Sequence, residues 1–274
     1  MFEILPASRH LAGLVTGYWF VEDLAGEHRH RPVATAPVAG AILTVNLGRS
    51  NAMVGGPVVP RVALTGVQTV GRNWQSCTDT YFVMAMLTLP GLARLFPGAG
   101  EWAADTVLDV GALVGDGPAR ALDAAVSAAW EPRRIAGCVD AWLLVRLART
   151  PVSLEPGRYA AACGMLAAGE PVEAAARHAA ITRRQLHRWT RSHAGVSPKQ
   201  LADIARLQAS LAALQSRRGD PLQGYSDQAH QIRSWKRRLG ITPGAYAAQE
   251  RSVLAESFGR HRADDPEGAL PFYL

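Results

Sequence analysis

Lysine is nearly missing from this 274-residue chain: of 29 basic residues only Lys199 and Lys236 are lysine, and the rest are arginine. Cysteine is scarce too. Cys77, Cys138 and Cys163 are odd in number and far apart, which fits neither a disulfide framework nor a paired-thiol zinc site, so they read as reduced core thiols. No apolar run approaches the ~18 residues that a membrane helix needs. The opening MFEILPASRH lacks a basic stretch followed by an apolar one. A cytoplasmic protein with no membrane attachment is the expectation. Catalytic signatures are also absent: there is no Gly-Lys-Ser/Thr phosphate loop, no His-Glu-x-x-His and no nucleophile elbow. Neither enzymatic activity nor a cofactor is expected. His28 and His30 alternate as metal ligands can, but no third ligand accompanies them, so a solvated loop is the simpler reading and no metal is expected.

The most informative absence is that of acid between 174 and 202, where Arg177, Arg183, Arg184, Arg188 and Arg191 stand without one Asp or Glu. Residues 1 to 150 hold 12 basic and 12 acidic side chains, whereas 171 to 240 hold 13 basic against 4 acidic. The basic excess is therefore confined to about seventy residues, and a field concentrated in this way favours a polyanionic partner. The chain is 48% hydrophobic, enough for the cores of two domains and too much for a disordered tail protein.

The organisation changes along the chain. GYWFVED (17 to 23), AILTVNL (41 to 47), RVALTGV (61 to 67) and YFVMAMLTL (81 to 89) are short β-rich runs punctuated by Gly, Pro and Asn. No helix-length segment separates the last three, so they predict a β-barrel or sandwich. ARALDAAVSAAW, after Gly117-Pro118, predicts a helix. A second helix runs from Pro132 to about Arg149, with Ile135, Val139, Trp142 and Leu143 as its apolar stripe. That stripe either packs on the sheet or pairs with its own copy across a dimer axis. The two prolines and the glycine of 150 to 157 mark a domain boundary. The expected fold class is α+β. A β-rich, barrel-like domain over 1–150 with trailing helices at 118–149 would be followed by an all-α domain over 157–250 and a tail over 251–274.

Pro171 to Gly195 reads as helix, tight turn, helix, with Thr182 as N-cap and Gln185 closing a capping box. Leu186 and Trp189 are the main apolar positions of the second helix. Arg183, Arg184, Gln185, His187, Arg188 and Arg191 cover the rest. A merely solvated face usually mixes acids with bases. Arg and Gln, by contrast, pair in a bidentate way with guanine and adenine edges. Ser197-Pro198 then starts a helix whose Leu201, Ile204, Leu207, Leu211 and Leu214 form a core stripe, and Ser226 or Asp227 caps another that carries Gln228, Arg233, Lys236, Arg237 and Arg238.

Four ordered motifs, Thr-Arg-Arg-Gln-Leu-His-Arg (182 to 188), Gly-Val-Ser-Pro-Lys (195 to 199), Gly-Tyr-Ser-Asp-Gln-Ala-His (224 to 230) and Gly-Ile-Thr-Pro-Gly-Ala-Tyr (240 to 246), resemble the DNA-binding domain of the AraC/XylS family of transcription regulators. The resemblance covers about 158 to 250. It implies two helix-turn-helix units joined by the 199 to 215 helix, each placing a recognition helix in the major groove of double-stranded DNA. Pro6, Tyr18-Trp19 and Leu89-Pro90-Gly91 give the front half a weaker similarity to N-terminal domains of such regulators, which implies effector sensing or homodimerisation. Base contacts are expected from Arg184, His187, Arg188 and Gln228, and phosphate contacts from Arg183, Arg191, Arg233 and Lys236. The chain departs from the family pattern in three places. Too few residues precede Gly224 for the usual scaffold helix, Gln231 stands at a usually apolar position, and Thr190 replaces an aromatic that here is Trp189. The first unit is thus expected to be the intact reader, and the second to be shortened or docked differently. The alternative is a ligand- or protein-binding module of the same fold that has lost specific operator reading.

Overall fold

The computed structural model describes residues 2–27, 32–150, 156–249, 255–256 and 273–274. His28 and His30, residues 151–155 of the expected boundary and most of the expected tail lie outside the described residues.

The first half is built on β1 (Phe2–Leu5), β2 (Val15–Asp23), β3 (Val33–Thr35), β4 (Ala41–Asn46), β5 (Ala52–Met53), β6 (Val62–Thr65), β7 (Arg72–Gln75), β8 (Thr80–Leu87) and β9 (Val107–Asp109). These form a six-stranded sheet, β1-β2-β8-β4-β6-β9, and a three-stranded sheet, β3-β7-β5, with every pair antiparallel. The runs at 17 to 23 and 81 to 89 show no polar alternation because the large sheet is covered on both faces. Tyr18, Phe20, Leu43, Val45, Tyr81, Val83 and Ala85 face a core shared with helices. Their neighbours Trp19, Val21, Ile42, Phe82 and Met84 face the other way, toward Val33 of the small sheet.

The helical cover comprises α1 (Leu89–Leu95), α2 (Gly100–Ala103), α3 (Val110–Val114), α4 (Asp116–Ser127) and α5 (Pro132–Arg149). Thr88 caps α1 by accepting from the Gly91 N–H at 2.9 Å. Ile135, Ala136, Val139 and Leu143 bury one side of α5 in the sheet's core, so Leu143 is a sheet-packing residue. Trp142 lies between core and surface, its Nε1 donating to the Pro118 carbonyl at 2.9 Å. Buried Tyr18 fixes α5 to β2: its Oη donates to Asp140 Oδ1 at 2.6 Å, and the Ser8 N–H donates to the same oxygen at 3.0 Å. Burial, aided by the Asp140 carboxylate, pushes the Tyr18 phenol far above its ordinary pKa.

The named elements of the second half are all helices: α6 (Pro156–Ala167), α7 (Val172–His178), α8 (Arg183–Ala194), α9 (Pro198–Ser216), α10 (Gln228–Leu239) and α11 (Pro243–Ala248). One core joins Tyr159, Cys163, Leu166, Leu186, Trp189, Leu201 and Ile204 to Val67 and Leu89 of the first half. A smaller one joins Leu207, Leu211, Trp235 and Tyr246 to Ala36. Both cores thus cross from one half to the other. Cys163 is buried, and burial pushes its thiol up to about 12, which makes it a packing residue and a poor nucleophile.

Replacing Leu143 by Ala removes a side chain from the closed sheet core. We expect a loss of about 2–5 kcal/mol in urea unfolding. A loss under about 0.5 kcal/mol would contradict the packing described.

Candidate nucleic-acid interface

Helix α8 starts where the sequence places it. The Thr182 Oγ1 accepts from the Gln185 N–H at 3.1 Å, and Gly195, at φ +71°, ends the helix in the left-handed conformation that glycine tolerates best. The reciprocal half of a capping box is absent here among the described residues and forms instead at α9. There Ser197 Oγ accepts from the Gln200 N–H, and Gln200 Oε1 accepts from the Ser197 N–H.

Leu186, Trp189 and Thr190 bury one side of α8, with the Trp189 ring edge-on to Tyr159 at 6.2 Å. At 3.6 residues per turn this fixes the opposite side, where Arg184, His187, Arg188 and Arg191 recur at spacings of three, one and three on a single exposed face. Among the described residues, none of these four is ion-paired; Arg191 donates only to the Gly195 carbonyl, at 3.2 Å. Arg183 differs from them. Its guanidinium meets Glu173 of α7 at 3.0 Å, an acid just outside the acid-free stretch, so one cation is partly neutralised within the chain. Gln185 sits half-buried at the edge of the stripe.

In α10, Asp227 accepts from the His230 N–H at 2.7 Å, and that bond holds its carboxyl below the usual aspartate range. Gln228, Arg233, Lys236 and Arg237 are exposed, whereas Gln231, Ser234, Trp235 and Arg238 are buried. Arg238 therefore belongs to a different surface from its basic neighbours. Its Nη1 donates to the Thr69 carbonyl at 2.8 Å, its Nη2 lies 3.4 Å from Asp203 Oδ2, and its own carbonyl accepts from the Gly71 N–H at 2.6 Å. Burial lowers the Arg238 pKa, and Asp203 opposes that effect. Residue type alone groups Arg238 with Arg237. The signal that separates them is phase, since Arg238 stands three residues after the core residue Trp235.

Helix α9 joins the two cationic helices. Its 19 residues make a rod of about 28 Å. Between Ser216 and Gln228 the described chain holds a turn at 221–224 and no helix. The space is closed by polar contacts centred on Ser210, whose Oγ donates to the Pro221 carbonyl at 2.7 Å. The same oxygen accepts from Gln231 Nε2 at 3.1 Å and from Trp235 Nε1 at 3.2 Å, while Gln231 Nε2 also reaches the Pro221 carbonyl at 2.7 Å. That accounts for glutamine rather than an apolar residue at 231: with so short a connection, a carbonyl and an indole N–H need partners inside.

Both cationic helices are seated on the β-rich half. Gly100 of α2 meets the end of α8 so closely that a Cβ there would lie 2.1 Å from the His193 backbone, and one on Gly195 would lie 2.5 Å from the Gly100 carbonyl. Arg238 seats the end of α10 on 69–71, and Gln208 of α9 donates to the Pro37 carbonyl.

Residues 175–249 match the model of a family described as a helix-turn-helix domain. No curated protein sequence matches the chain. Among solved structures, ToxT from Vibrio cholerae O395 is 8% identical, with 84% of this chain and 95% of that one covered and a TM-score of 0.42. Wild-type ToxT from V. cholerae strain SCE256 with an unsaturated fatty acid bound is 9% identical, covering 84% and 93%, with a TM-score of 0.41. An unliganded ToxT variant from the same strain is 10% identical, covering 84% and 96%, with a TM-score of 0.41.

Ser210→Ala strips the buried Trp235 N–H of its acceptor and the Pro221 carbonyl of one donor. The expected loss is about 1–3 kcal/mol in chemical unfolding, with faster amide exchange along α10. Unchanged stability and exchange would show that the Ser210 contacts do not hold α10.

Proposed function

We propose that this chain, whose residues 175–249 form an AraC-type helix-turn-helix domain, is a transcription regulator that reads double-stranded DNA by laying α8 in the major groove. The observation that carries this reading is the unneutralised stripe of Arg184, His187, Arg188 and Arg191 on a helix whose other side is fixed by Leu186 and Trp189. The three arginines of that stripe have no carboxylate partner among the described residues and are free to meet an external anion. A duplex supplies phosphates along the rim of the groove and guanine edges on its floor, which guanidinium groups engage in pairs. Arg184, His187 and Arg188 take the base-reading role, with Arg191 on phosphate and Arg183 shared between phosphate and Glu173. In α10, Gln228 is the base reader and Arg233, Lys236 and Arg237 hold phosphate. The short 217–227 connection makes α10 the auxiliary reader.

The β-rich half serves as sensor and dimer surface. Between the two sheets lies a cavity of about 70 Å³ lined by Val21, Ile42, Gln68, Trp74, Phe82 and Met84 among others, with no charged side chain among the described lining residues. Gln68 Oε1 is buried without a hydrogen-bond partner among the described residues. This lining suits an uncharged small-molecule effector that offers a donor. A homodimer would use the outward side of α4 and α5, where Ala121, Ala125, Ala141 and Val145 border a groove and Val145 is 49% exposed.

Two experiments test these assignments. After in-vitro selection of bound duplexes, Arg188→Ala is expected to cost about 1–3 kcal/mol and to relax one position of the selected site, while Lys236→Ala weakens selected and random duplexes alike. Failure of selection to enrich any sequence would favour the module that has lost operator reading. For the dimer, Val145→Arg is expected to convert a dimeric mass to a monomeric one in sedimentation. A mass unchanged by that substitution would remove α4–α5 as the interface.

A further inference from the structure

Tyr273 and Leu274 lie far along the chain from the β-rich half, yet they are built into it. Tyr273 pairs with Thr35 in antiparallel fashion, and the Leu274 N–H donates to the Ala34 carbonyl at 2.9 Å. The pair thus adds a rung to the edge strand β3. Successive residues of an extended chain point to opposite sides, and here the two sides are two different cores. The Tyr273 ring, 3% exposed, packs between the sheets with Trp19, Val21, Ile42 and Phe82, its centroid 5.9 Å from that of Phe2 and 6.3 Å from that of Trp19. Leu274 packs instead against the core of Leu207, Leu211, Trp235 and Tyr246 beneath α10. Gln215 of α9 donates to the Tyr273 carbonyl at 3.1 Å and to the Tyr246 hydroxyl at 2.8 Å.

Tyr273 is also a wall of the inter-sheet cavity. At about 70 Å³ that cavity falls well short of the roughly 300–1,000 Å³ of an ordinary small-molecule site. A ring-sized ligand therefore has no room while Tyr273 is seated. We propose that Tyr273–Leu274 is an intramolecular ligand and staple: Tyr273 fills the place of an uncharged, phenol-like effector, and its eviction withdraws Leu274 from the core under α10 and loosens the seat of that helix on 69–71. The chemical class follows from the occupant and the lining. The occupant supplies an apolar ring packed with Trp19 and Phe82; Gln68 Oε1 has no partner among the described residues with Tyr273 seated, so a freely placed phenol hydroxyl would have an acceptor there, and no described lining residue carries a charge. A ligand that must first expel the staple binds with its affinity reduced by the scarcity of the open state, and removing the staple restores that affinity.

This inference rests on the effector reading of the cavity and is independent of DNA binding. The probe is p-cresol, the free form of a tyrosine side chain, titrated by calorimetry into the full chain and into Tyr273→Ala and Tyr273→Phe. Tyr273→Ala is expected to bind about tenfold or more tightly than the parent, and Tyr273→Phe, which keeps the ring, to behave as the parent. Amide exchange at Gly71 and along α10 should rise in Tyr273→Ala and stay at the parent's rate in Tyr273→Phe, which keeps the seated ring. No tighter binding by Tyr273→Ala overturns the self-ligand role and the effector reading of this cavity with it. Tighter binding with unchanged exchange at Gly71 and α10 overturns the staple alone. Should Tyr273→Ala not fold, Gln215→Ala, which takes a donor from both the Tyr273 carbonyl and the Tyr246 hydroxyl, is expected to speed exchange of the Leu274 N–H severalfold, and an unchanged rate overturns the proposal.

Discussion

The burial of Leu186 and Trp189 decides which way α8 faces. Each such side chain gains about 1.5–3 kcal/mol on leaving water, and with Tyr159, Leu201 and Ile204 closing around them the helix cannot rotate without giving up that gain. Arg184, His187, Arg188 and Arg191 are held outward as a consequence, with the three guanidinium groups near enough to repel one another. Among the described residues, only Arg183 of the α8 cations finds a carboxylate, Glu173, and it does so where both partners are largely exposed, at 69% and 48%. An exposed pair of that kind contributes little and competes weakly with a phosphate. The proposed function requires a fixed cationic face left open to an anion, and this packing supplies one.

The halves are less separate than a linker between them suggests. Val67 and Leu89 belong to the core around α8, Ala36 belongs to the core under α10, and Gly100 admits the end of α8 at backbone distance. Arg238 extends the same seam by holding 69–71 and Asp203 together. Its charge is stabilised inside by carbonyl and carboxylate partners, whereas Arg237, one residue earlier, stays in solvent. The two cationic helices thus rest on the β-rich half at different places, α8 at Gly100 and α10 at 69–71.

The long elements were legible because their signals are redundant. The strands at 17 to 23, 41 to 47 and 81 to 89, the helices after Gly117 and Pro132, and the caps Thr182, Ser197 and Asp227 each combine a periodic pattern with a turn or capping residue. What escaped notice was short or context-dependent. Strands β3, β5 and β9, of two or three residues, carry no period at all, and α1 to α3 hold too few turns to show one. The stripe on α8 was readable from composition and spacing, but the pairing of neighbouring Arg183 with Glu173 was not, since the two approach only after the turn between α7 and α8 is made. The inward side of Arg238, the Ser210 contacts and the seat of Tyr273 depend on residues 169, 21 and 238 positions away respectively. No local pattern encodes such pairings.

The central claim is that the open face of α8 reads sequence and does more than attract charge. The direct measurement is the affinity of the purified chain for a selected duplex relative to random duplex across a series of salt concentrations. The account predicts that both affinities fall as salt rises, by counterion release, while the selected duplex keeps an advantage of about a thousandfold or more. Equal affinities at every salt concentration, falling on one common steep slope, would contradict it.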